Sequence, residues 1–250
     1  MAADPGAPSS VSAQATPVLL PREAGEHLVY CTPFNRVFAL DPRSGVERWV
    51  YDPQVPRTSE RPYRCRGVAY AEVPQADVAA ACRHRIYTVT VDRRLIALDA
   101  RDGKPCAGFG NRGVVTLVEH ARYGLEKVSS SSAPVVANGV VVVGSSIIDF
   151  AHAEAPRGVI AAYDAETGAP RWTFDPLAGV TGTGAGNAWA PLAVDAASDL
   201  VFVPTSAPSP DYYGGLRPGR NEHANSVVAL RLATGEVAWS FQTVHHDLWD

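Results

Sequence analysis

Six short stretches of the sequence carry side chains that could bind a ligand or move a proton. An arginine presents a rigid fork of positive donors that suits a carboxylate or another electron-rich oxygen. An aspartate can ligate a hard cation, and because it is ionised at neutral pH it can also accept a proton. The stretches are Cys65-Arg66-Gly67, Ser131-Ser132, Gly144-Ser145-Ser146, Asp149, Gly186-Asn187-Ala188-Trp189 and residues 242–250.

A repeated unit must position these side chains, and its clearest copy is GVIAAYDAETGAPRWTFDP at 158–176. This copy predicts two short strands, at 159–163 and 171–174, joined by a turn from Asp164 to Gly168. An aspartate at the start of a turn accepts turn N–H groups, and a glycine at its end adopts positive φ without a Cβ clash. Trp172, in the second strand, is large and flat enough to cover a neighbouring sheet.

The unit recurs at 38–49 (FALDPRSGVERW), 96–107 (IALDARDGKPCA) and 228–239 (VALRLATGEVAW). The aspartate position falls at 41, 99, 164 and 231, with spacings of 58, 65 and 67 residues, although residue 231 is an arginine. The second copy has Ala107 where the others have tryptophan. A signature at a near-constant period indicates a repeat architecture. The alternative is four independent hairpins that share turn chemistry.

Each repeat predicts more than one hairpin. In the third, Asn138-Gly139 is a strong hairpin turn between strands at 134–137 and 140–145, which gives a four-stranded meander. The fourth repeat predicts strands at 189–194, 200–205, 226–230 and 236–241; the second predicts strands at 67–72, 85–91 and 95–98 and a weak fourth; the first is incomplete, with strands at 28–31, 37–40 and 47–51. Helical periodicity is confined to a short segment near 77–82.

Four-stranded sheets repeated about an axis are the blades of a β-propeller, so the predicted fold is all-β. The chain supplies about four blades in a partial propeller domain at 15–250, after a polar lead-in at 1–14 that we expect to be disordered. We expect an open sheet edge at the C-terminal end. In such meanders the first strands begin, and the second and fourth strands end, on one side of the sheets. We call this side the rim, and the six stretches are predicted to lie there.

The composition excludes several function classes. The formal net charge of −4 and the absence of a basic stripe argue against nucleic-acid binding. No apolar run approaches the roughly 18–20 residues that span a bilayer, and no signal peptide is evident. The four cysteines are too widely spaced for a zinc ribbon, and they leave free thiols and a disulfide equally open. They are Cys31, Cys65, Cys82 and Cys106.

Several motifs resemble those of one enzyme family. CRGVAY, SSAPVVANGVVVVGSS, GNAWAPLAVD, VFVPTSAPSPDYYGG and above all FQTVHHDLWD are similar to the pyrroloquinoline quinone (PQQ)-dependent dehydrogenases, in particular the membrane-bound glucose/quinate/shikimate group. The resemblance runs from about residue 15 to the last residue. It implies an eight-bladed propeller, of which this chain would hold the first half, and the oxidation of a sugar or polyol alcohol.

The resemblance assigns PQQ contacts to five residues. Arg66 would pair with a quinone oxygen or a carboxylate of PQQ, while Ser131 and Ser146 fall where the family hydrogen-bonds PQQ carboxylates. Trp189 matches the flat floor under the cofactor, and Asn187 lies beside it. The alternatives are an arginine in a surface ion pair, turn serines and a blade-packing tryptophan. Trp189 stands off the tryptophan position of the repeat, which favours the cofactor role.

The resemblance also implies a divalent cation, Ca²⁺ or Mg²⁺, ligated by Asp149. The sequence departs from the family pattern here, because Phe150 and Ala207 stand where the family has asparagines. An alanine side chain cannot coordinate a metal. Metal binding would therefore rely on Asn187, Asp211, backbone carbonyls or water, or Asp149 is an ordinary loop residue.

Asp250 matches the catalytic base of the family. It would accept the alcohol proton while hydride moves from the substrate carbon to C5 of PQQ, whose carbonyl the cation polarises. Adjacent histidines in an extended segment point to opposite sides, so His245 and His246 rarely share one metal. We expect these histidines and Asp247 to hold Asp250 in place through hydrogen bonds.

A non-enzymatic propeller is the competing class, such as the scaffolding lipoproteins of outer-membrane assembly, which keep the tryptophan repeats without a quinone site. Arg66, Trp189 and the HHDLWD segment discriminate, because a scaffold has no use for them. The resemblance further implies a periplasmic location, ubiquinone as the electron acceptor and a missing C-terminal half of the propeller. We therefore expect the 250-residue chain alone to be inactive and to hold PQQ weakly. The identity of the sugar or polyol cannot be read from the sequence.

Overall fold

A computed structural model describes residues 11–57, 63–74, 81–117, 127–148 and 155–249. These residues form four antiparallel four-stranded sheets, three two-stranded sheets and two short 3-10 helices, Arg22–Ala24 and Gly214–Leu216, with no α-helix in the described ranges. None of the described helices is long and apolar enough to cross a membrane. The all-β prediction is confirmed. The helical possibility near 77–82 falls mostly outside the described residues, and Cys82 lies in a turn.

The strands follow the chain in order. They are β1 Val11–Thr16, β2 Val18–Leu19, β3 Leu28–Cys31, β4 Val37–Leu40, β5 Glu47–Tyr51, β6 Tyr63–Gly67, β7 Ala69–Glu72, β8 His84–Val89, β9 Arg94–Asp99, β10 Val114–Thr116, β11 Val128–Ser129, β12 Val135–Ala137, β13 Val140–Val143, β14 Ser146–Ile147, β15 Ile160–Asp164, β16 Pro170–Phe174, β17 Gly184–Ala185, β18 Ala193–Asp195, β19 Leu200–Pro204, β20 Pro208–Ser209, β21 Ser226–Arg231 and β22 Val237–Gln242. The four large sheets are meanders in the orders β2-β3-β4-β5, β7-β8-β9-β10, β12-β13-β15-β16 and β18-β19-β21-β22.

The chain divides into two compact units. Unit 1 comprises Met1–Leu117 and the turn Ala165–Ala169, and unit 2 comprises Val118–Asp164 and Pro170–Asp250. Each unit contains two of the large sheets and an apolar core built from their alternating inward residues, such as Val29 and Ile86 in unit 1 and Val142 and Val201 in unit 2.

The repeated turn forms as its residue types dictate. At the first copy, the Asp41 carboxylate accepts the N–H groups of Arg43 and Ser44 at 3.0 and 2.8 Å, and the Gly45 N–H donates to the Asp41 carbonyl at 2.9 Å. The Ser44 N–H and the Arg48 guanidinium hold the pKa of Asp41 below its usual range. The glycine that ends each of the four copies has a φ of 72–76°, a conformation that a Cβ would strain.

Two tryptophans dock on the next repeat in the same way. Trp49 donates its indole N–H to the Ala100 carbonyl at 3.2 Å, and its ring covers Gly103, where an added Cβ would lie 2.5 Å away. Trp172 repeats both contacts in unit 2, with the Leu232 carbonyl at 2.9 Å and with the turn glycine at 235. The carbonyl follows the aspartate position by one residue each time, so one geometric rule joins successive sheets.

The second repeat reaches its neighbour without a tryptophan. The chain after Gly103 makes an extra loop before β10, and Phe109 in that loop is fully buried, edge-on to Tyr87 with ring centroids 5.8 Å apart. Val115 would lie 2.7 Å from a Cβ added at Gly168, with Phe109 also close. These two side chains therefore occupy the place against the third turn that Ala107 is too small to fill.

Three further findings revise the sequence-based expectations. The first sheet is complete, because β2 pairs with β3, so the prediction of an incomplete first repeat is wrong. The fourth repeat's first strand starts at Ala193, later than the predicted residue 189, and leaves Trp189 outside the sheet. Of the expected disordered lead-in, residues 1–10 lie outside the described ranges, whereas β1 starts at Val11 and pairs in parallel with β6.

All four cysteines form disulfides, Cys31 with Cys65 and Cys82 with Cys106. The sequence left free thiols open, and the described cysteines include none. The first bond joins β3 of the first sheet to β6, which leads into the second. Cross-links of this kind restrict the unfolded chain, so both stabilise unit 1.

The docking rule predicts unequal costs for two tryptophans of unit 2. Trp172→Ala removes a packed ring and a hydrogen bond, and we expect it to lower the free energy of unfolding by about 3 kcal/mol. Trp239→Ala removes a ring that is 46% exposed, and we expect a loss below about 1 kcal/mol. Denaturant unfolding of the two variants of the 250-residue chain measures both. Equal losses would contradict the rule.

Candidate functional site

The rim of unit 2 is built from short extensions of the large sheets. Just before the first strand of the third sheet, β11 pairs with β14, which follows the second strand, so that Ser129 faces Ser146. Beside the fourth sheet, β17 precedes the first strand, β20 follows the second strand, and the two pair with each other. Ser131 lies between β11 and β12, and Asn187 and Trp189 lie between β17 and β18. These four predicted residues therefore share one end of the two sheets, as the meander argument requires.

Close contacts join the two halves of this rim. Ser132 donates its hydroxyl to the Ala188 carbonyl at 3.3 Å, and a Cβ added at Gly144 would lie 2.2 Å from that same oxygen. A Cβ added at Gly158 would lie 2.4 Å from Cβ of Asn187. The glycines thus allow the segment before β18 to pack directly on the third sheet, and this packing fixes the backbone that carries Trp189.

Asn187 is fully buried and only partly satisfied. Its side-chain amide and its backbone N–H both donate to the Ser206 hydroxyl, at 3.0 and 3.1 Å, but its Oδ1 atom has no hydrogen-bond partner in the described part of the chain. A buried carbonyl-type oxygen without a donor costs about 1–3 kcal/mol of desolvation. The Oδ1 atom of Asn187 could accept a hydrogen bond from a ligand, or it could coordinate a hard cation. This position therefore suits a bound polar group.

Trp189 differs from the docking tryptophans. Its side chain is 43% exposed, whereas Trp49 is 8% exposed. A flat aromatic face left open at a rim can carry a planar ligand by stacking.

Arg66 lies in unit 1, in β6. Along this strand Tyr63, Cys65 and Gly67 are buried, and Arg64 and Arg66 are half-buried on the opposite face. Burial lowers the pKa of Arg66, and the positive charge of Arg64 lowers it further. The Nε atom of Arg64 is buried without a hydrogen-bond partner among the described residues. Two like charges on one strand face favour an anion beside them.

Hydrogen bonds at His246 and Asp247 hold part of the HHDLWD segment, whereas the expected contacts with Asp250 fall outside the described residues. The Asp247 carboxylate accepts from the Asn225 side chain at 2.6 Å and from the Trp249 N–H at 3.0 Å. His246 Nδ1 lies 2.5 Å from the Gly219 carbonyl. His245 is exposed. The segment therefore anchors through Asp247 and His246.

The two predicted carboxylates Asp149 and Asp250, together with Phe150, lie outside the described residues. Among the residues that are described, no group of three or more histidines, cysteines, aspartates or glutamates could hold a metal ion. Asp211 and Ala207 are both buried, at 2% exposure. The metal role of Asp149 and the catalytic role of Asp250 stay predictions.

Comparison with known proteins identifies the family of the chain. The model for the β-propeller domain of glucose/ethanol/alcohol dehydrogenases of the PQQ type matches residues 1–250. The chain belongs to this PQQ dehydrogenase family. Quinoprotein glucose dehydrogenase of Escherichia coli (strain K12) is 38% identical over 98% of the chain and 32% of its own length. Quinate/shikimate dehydrogenase (quinone) of Acinetobacter baylyi (strain ATCC 33305 / BD413 / ADP1) is 37% identical over 93% of the chain and 32% of its length.

The solved structures agree on the fold. Quinohemoprotein alcohol dehydrogenase from Comamonas testosteroni superposes with a TM-score of 0.74 at 26% identity, over 98% of this chain and 37% of that one. The four large sheets are therefore propeller blades, as predicted. The chain spans about one third of the length of the curated relatives that it matches.

Sequence reasoning missed three residues that contact or neighbour the predicted motifs. Ser206 precedes Ala207, the position where the family has an asparagine, and its hydroxyl accepts hydrogen bonds from the side chain and the backbone N–H of Asn187. Arg64 stands two residues before Arg66, and the period of a strand could have put both on one face. Arg217 lies in a proline- and glycine-rich stretch. It is completely buried, and no local sequence pattern indicates that burial.

The contact between Gly144 and the Ala188 carbonyl can be tested by adding one methyl group. Gly144→Ala forces the segment before Trp189 away from the third sheet, and we expect it to lower the free energy of unfolding by about 1–3 kcal/mol. Gly108→Ala is the matched control, because no heavy atom of the described chain other than its two neighbours lies within 4 Å of its added Cβ, and it should change stability by less than about 1 kcal/mol. Denaturant unfolding measures both, and a Gly144→Ala chain as stable as the control would contradict the packing.

Proposed function

We propose that this chain forms the PQQ-binding, proton-abstracting part of a dehydrogenase that oxidises an alcohol group of a sugar or polyol and uses a quinone as acceptor. One observation carries this: the family model matches the whole chain, and four candidate residues of unit 2 lie at one end of its two large sheets, namely Ser131, Ser146, Asn187 and Trp189. The relatives are named for glucose and for quinate and shikimate. A scaffold role has no comparable support, because it leaves the open Trp189 face and the Arg64–Arg66 pair without a use.

The residues of the chain would bind and orient the cofactor. PQQ, when bound, supplies the electron-accepting quinone. Arg66, with Arg64 beside it, offers fixed positive charge to its carboxylates or quinone oxygen. Ser131 and Ser146 add hydroxyl groups, and Trp189 provides a flat floor.

Asp250 would take the proton from the substrate hydroxyl. A carboxylate with an ordinary pKa of about 3.9 is ionised at neutral pH and needs no tuning for this role. The Asp247 and His246 contacts hold the segment that leads to it.

A divalent cation, Ca²⁺ or Mg²⁺, would be held by Asp149 and by the orphaned Oδ1 of Asn187. These are oxygen donors of the kind that hard cations prefer. Ala207 adds nothing to this set, so a backbone carbonyl or water would complete it. The cation would polarise a carbonyl oxygen of the bound quinone.

Further blades would pack on both ends of the repeat array. On β22, Trp239 and Phe241 lie on one face and are 46% and 65% exposed. At the other end, no heavy atom of the described chain lies within 4 Å of a Cβ added at Gly45, the turn glycine of the first repeat. Trp239 could dock on the turn of a following repeat, and the turn at Gly45 could receive the tryptophan of a preceding one. This supports a longer propeller.

The two disulfides support an oxidising compartment, and we infer the periplasm. Ubiquinone is the acceptor that the family resemblance favours for such a location.

Expression of the complete gene product, reconstituted with PQQ and Ca²⁺ or Mg²⁺, tests the proposal by dye reduction with glucose, quinate and glycerol. Asp250→Asn should lower kcat at least about 100-fold with PQQ still bound. Arg66→Met should weaken PQQ binding about 10-fold or more, the loss expected for a charged hydrogen bond.

Arg48→Met is the matched control for Arg66, because Arg48 pairs with Asp41 at an exposed turn. It should leave both activity and PQQ affinity within about twofold. The absence of PQQ-dependent turnover with all three substrates would overturn the proposed function. Robust turnover by the 250-residue chain alone would instead show that further blades are unnecessary.

A further inference from the structure

Arg217 is a fully buried arginine in the long loop between β20 and β21. Its guanidinium donates four hydrogen bonds: Nε to the Pro210 carbonyl at 3.0 Å, Nη1 to Oδ1 of Asn221 at 3.0 Å, and Nη2 to the carbonyls of Asp211 and Asp247 at 2.9 and 2.5 Å. A planar fork with fixed donors suits such a set of convergent acceptors, and a flexible ammonium does not.

The four acceptors belong to two different segments of the chain. Pro210, Asp211 and Asn221 belong to the loop itself, whereas Asp247 belongs to the HHDLWD segment after β22. The Arg217–Asp247 bond therefore spans 30 residues of sequence. Arg217 ties the end of the fourth blade to its own loop.

Asp247 passes this restraint along the segment. Its carboxylate accepts from the Asn225 side chain at 2.6 Å and from the Trp249 N–H at 3.0 Å. The second bond closes a turn of the kind that aspartate side chains favour. The backbone at Trp249 is thereby fixed one residue before Asp250.

Nearby carboxylates partly balance the buried charge of Arg217. Burial lowers the pKa of Arg217, and the negative charges of Asp211 and Asp247 raise it. An arginine stays protonated throughout the accessible pH range, so the connection does not switch off with pH. Breaking one side of a buried charged network leaves unpaired polar groups behind.

We propose that Arg217 is a positioning residue that fixes residues 243–249 through Asp247, and that the activity of the proposed base Asp250 depends on this anchored segment. This rests on the proposed function only for the role of Asp250. The anchoring of residues 243–249 stands apart from it and is tested separately.

Hydrogen exchange of the complete gene product tests the anchoring without any need for activity. In Arg217→Met, the amide of Trp249 and its neighbours at 243–248 should exchange at least about 10-fold faster than in the parent. Arg171→Met is the matched control in unit 2, since Arg171 is exposed and its ion pair among the described residues is with Asp164 across its own turn, and it should leave this exchange unchanged. Unchanged exchange in Arg217→Met would overturn the proposal.

Kinetics of the PQQ-loaded protein test the positioning. Normalised to bound PQQ, Arg217→Met should lower kcat at least about 30-fold with PQQ affinity and KM within about threefold. Arg217→Lys, which keeps the charge but not the fork, should recover only part of kcat. Arg171→Met should match the parent. A kcat per bound PQQ within threefold of the parent, or a loss that follows only the amount of folded protein, would overturn the proposal. A parent protein without PQQ-dependent turnover would instead refute the proposed function, and the exchange result would still decide the anchoring.

Discussion

The structure depends on one repeated contact, in which an indole docks on the turn of the next repeat. The indole N–H reaches the carbonyl that follows the aspartate position, and the ring lies flat on the turn glycine. Only a glycine leaves room for the ring, because any Cβ would stand 2.5–2.6 Å from it. The positive φ that the turn requires and the space that the ring requires thus select the same residue. Turn chemistry and sheet packing are satisfied together.

The positions of the rim residues follow from this contact. Once successive meanders pack face to face in a fixed register, the residues before each first strand and after each second strand come to the same end. Small residues then decide how closely the segments approach, as Gly144 and Gly158 do against Ala188 and Asn187. In unit 2 the meanders in this way bring Ser131, Ser146, Asn187 and Trp189 to one end of the two large sheets.

Local chemistry explains which features could be predicted. The Asp–Gly turns and the Asn138-Gly139 hairpin depend on neighbouring residues, so they were readable from the sequence. The replacement for the missing tryptophan was not, since Phe109 and Val115 reach Gly168 only through a loop whose path is set by tertiary packing. The disulfide pairs and the parallel pairing of β1 with β6 likewise join segments far apart in the chain.

The same distinction between local sequence and tertiary contacts applies to the candidate site. Sequence motifs indicated Arg66, Ser131, Ser146, Asn187 and Trp189. Ser206, which holds Asn187, and Arg217, which holds Asp247, could not be predicted because their roles arise from tertiary contacts. A structure of the complete gene product with PQQ bound tests the central claim most directly. The account predicts the cofactor stacked on the Trp189 ring at van der Waals distance, with the Arg66 guanidinium hydrogen-bonded to it. PQQ bound elsewhere, or Arg66 and Trp189 found at opposite ends of the propeller, would contradict it.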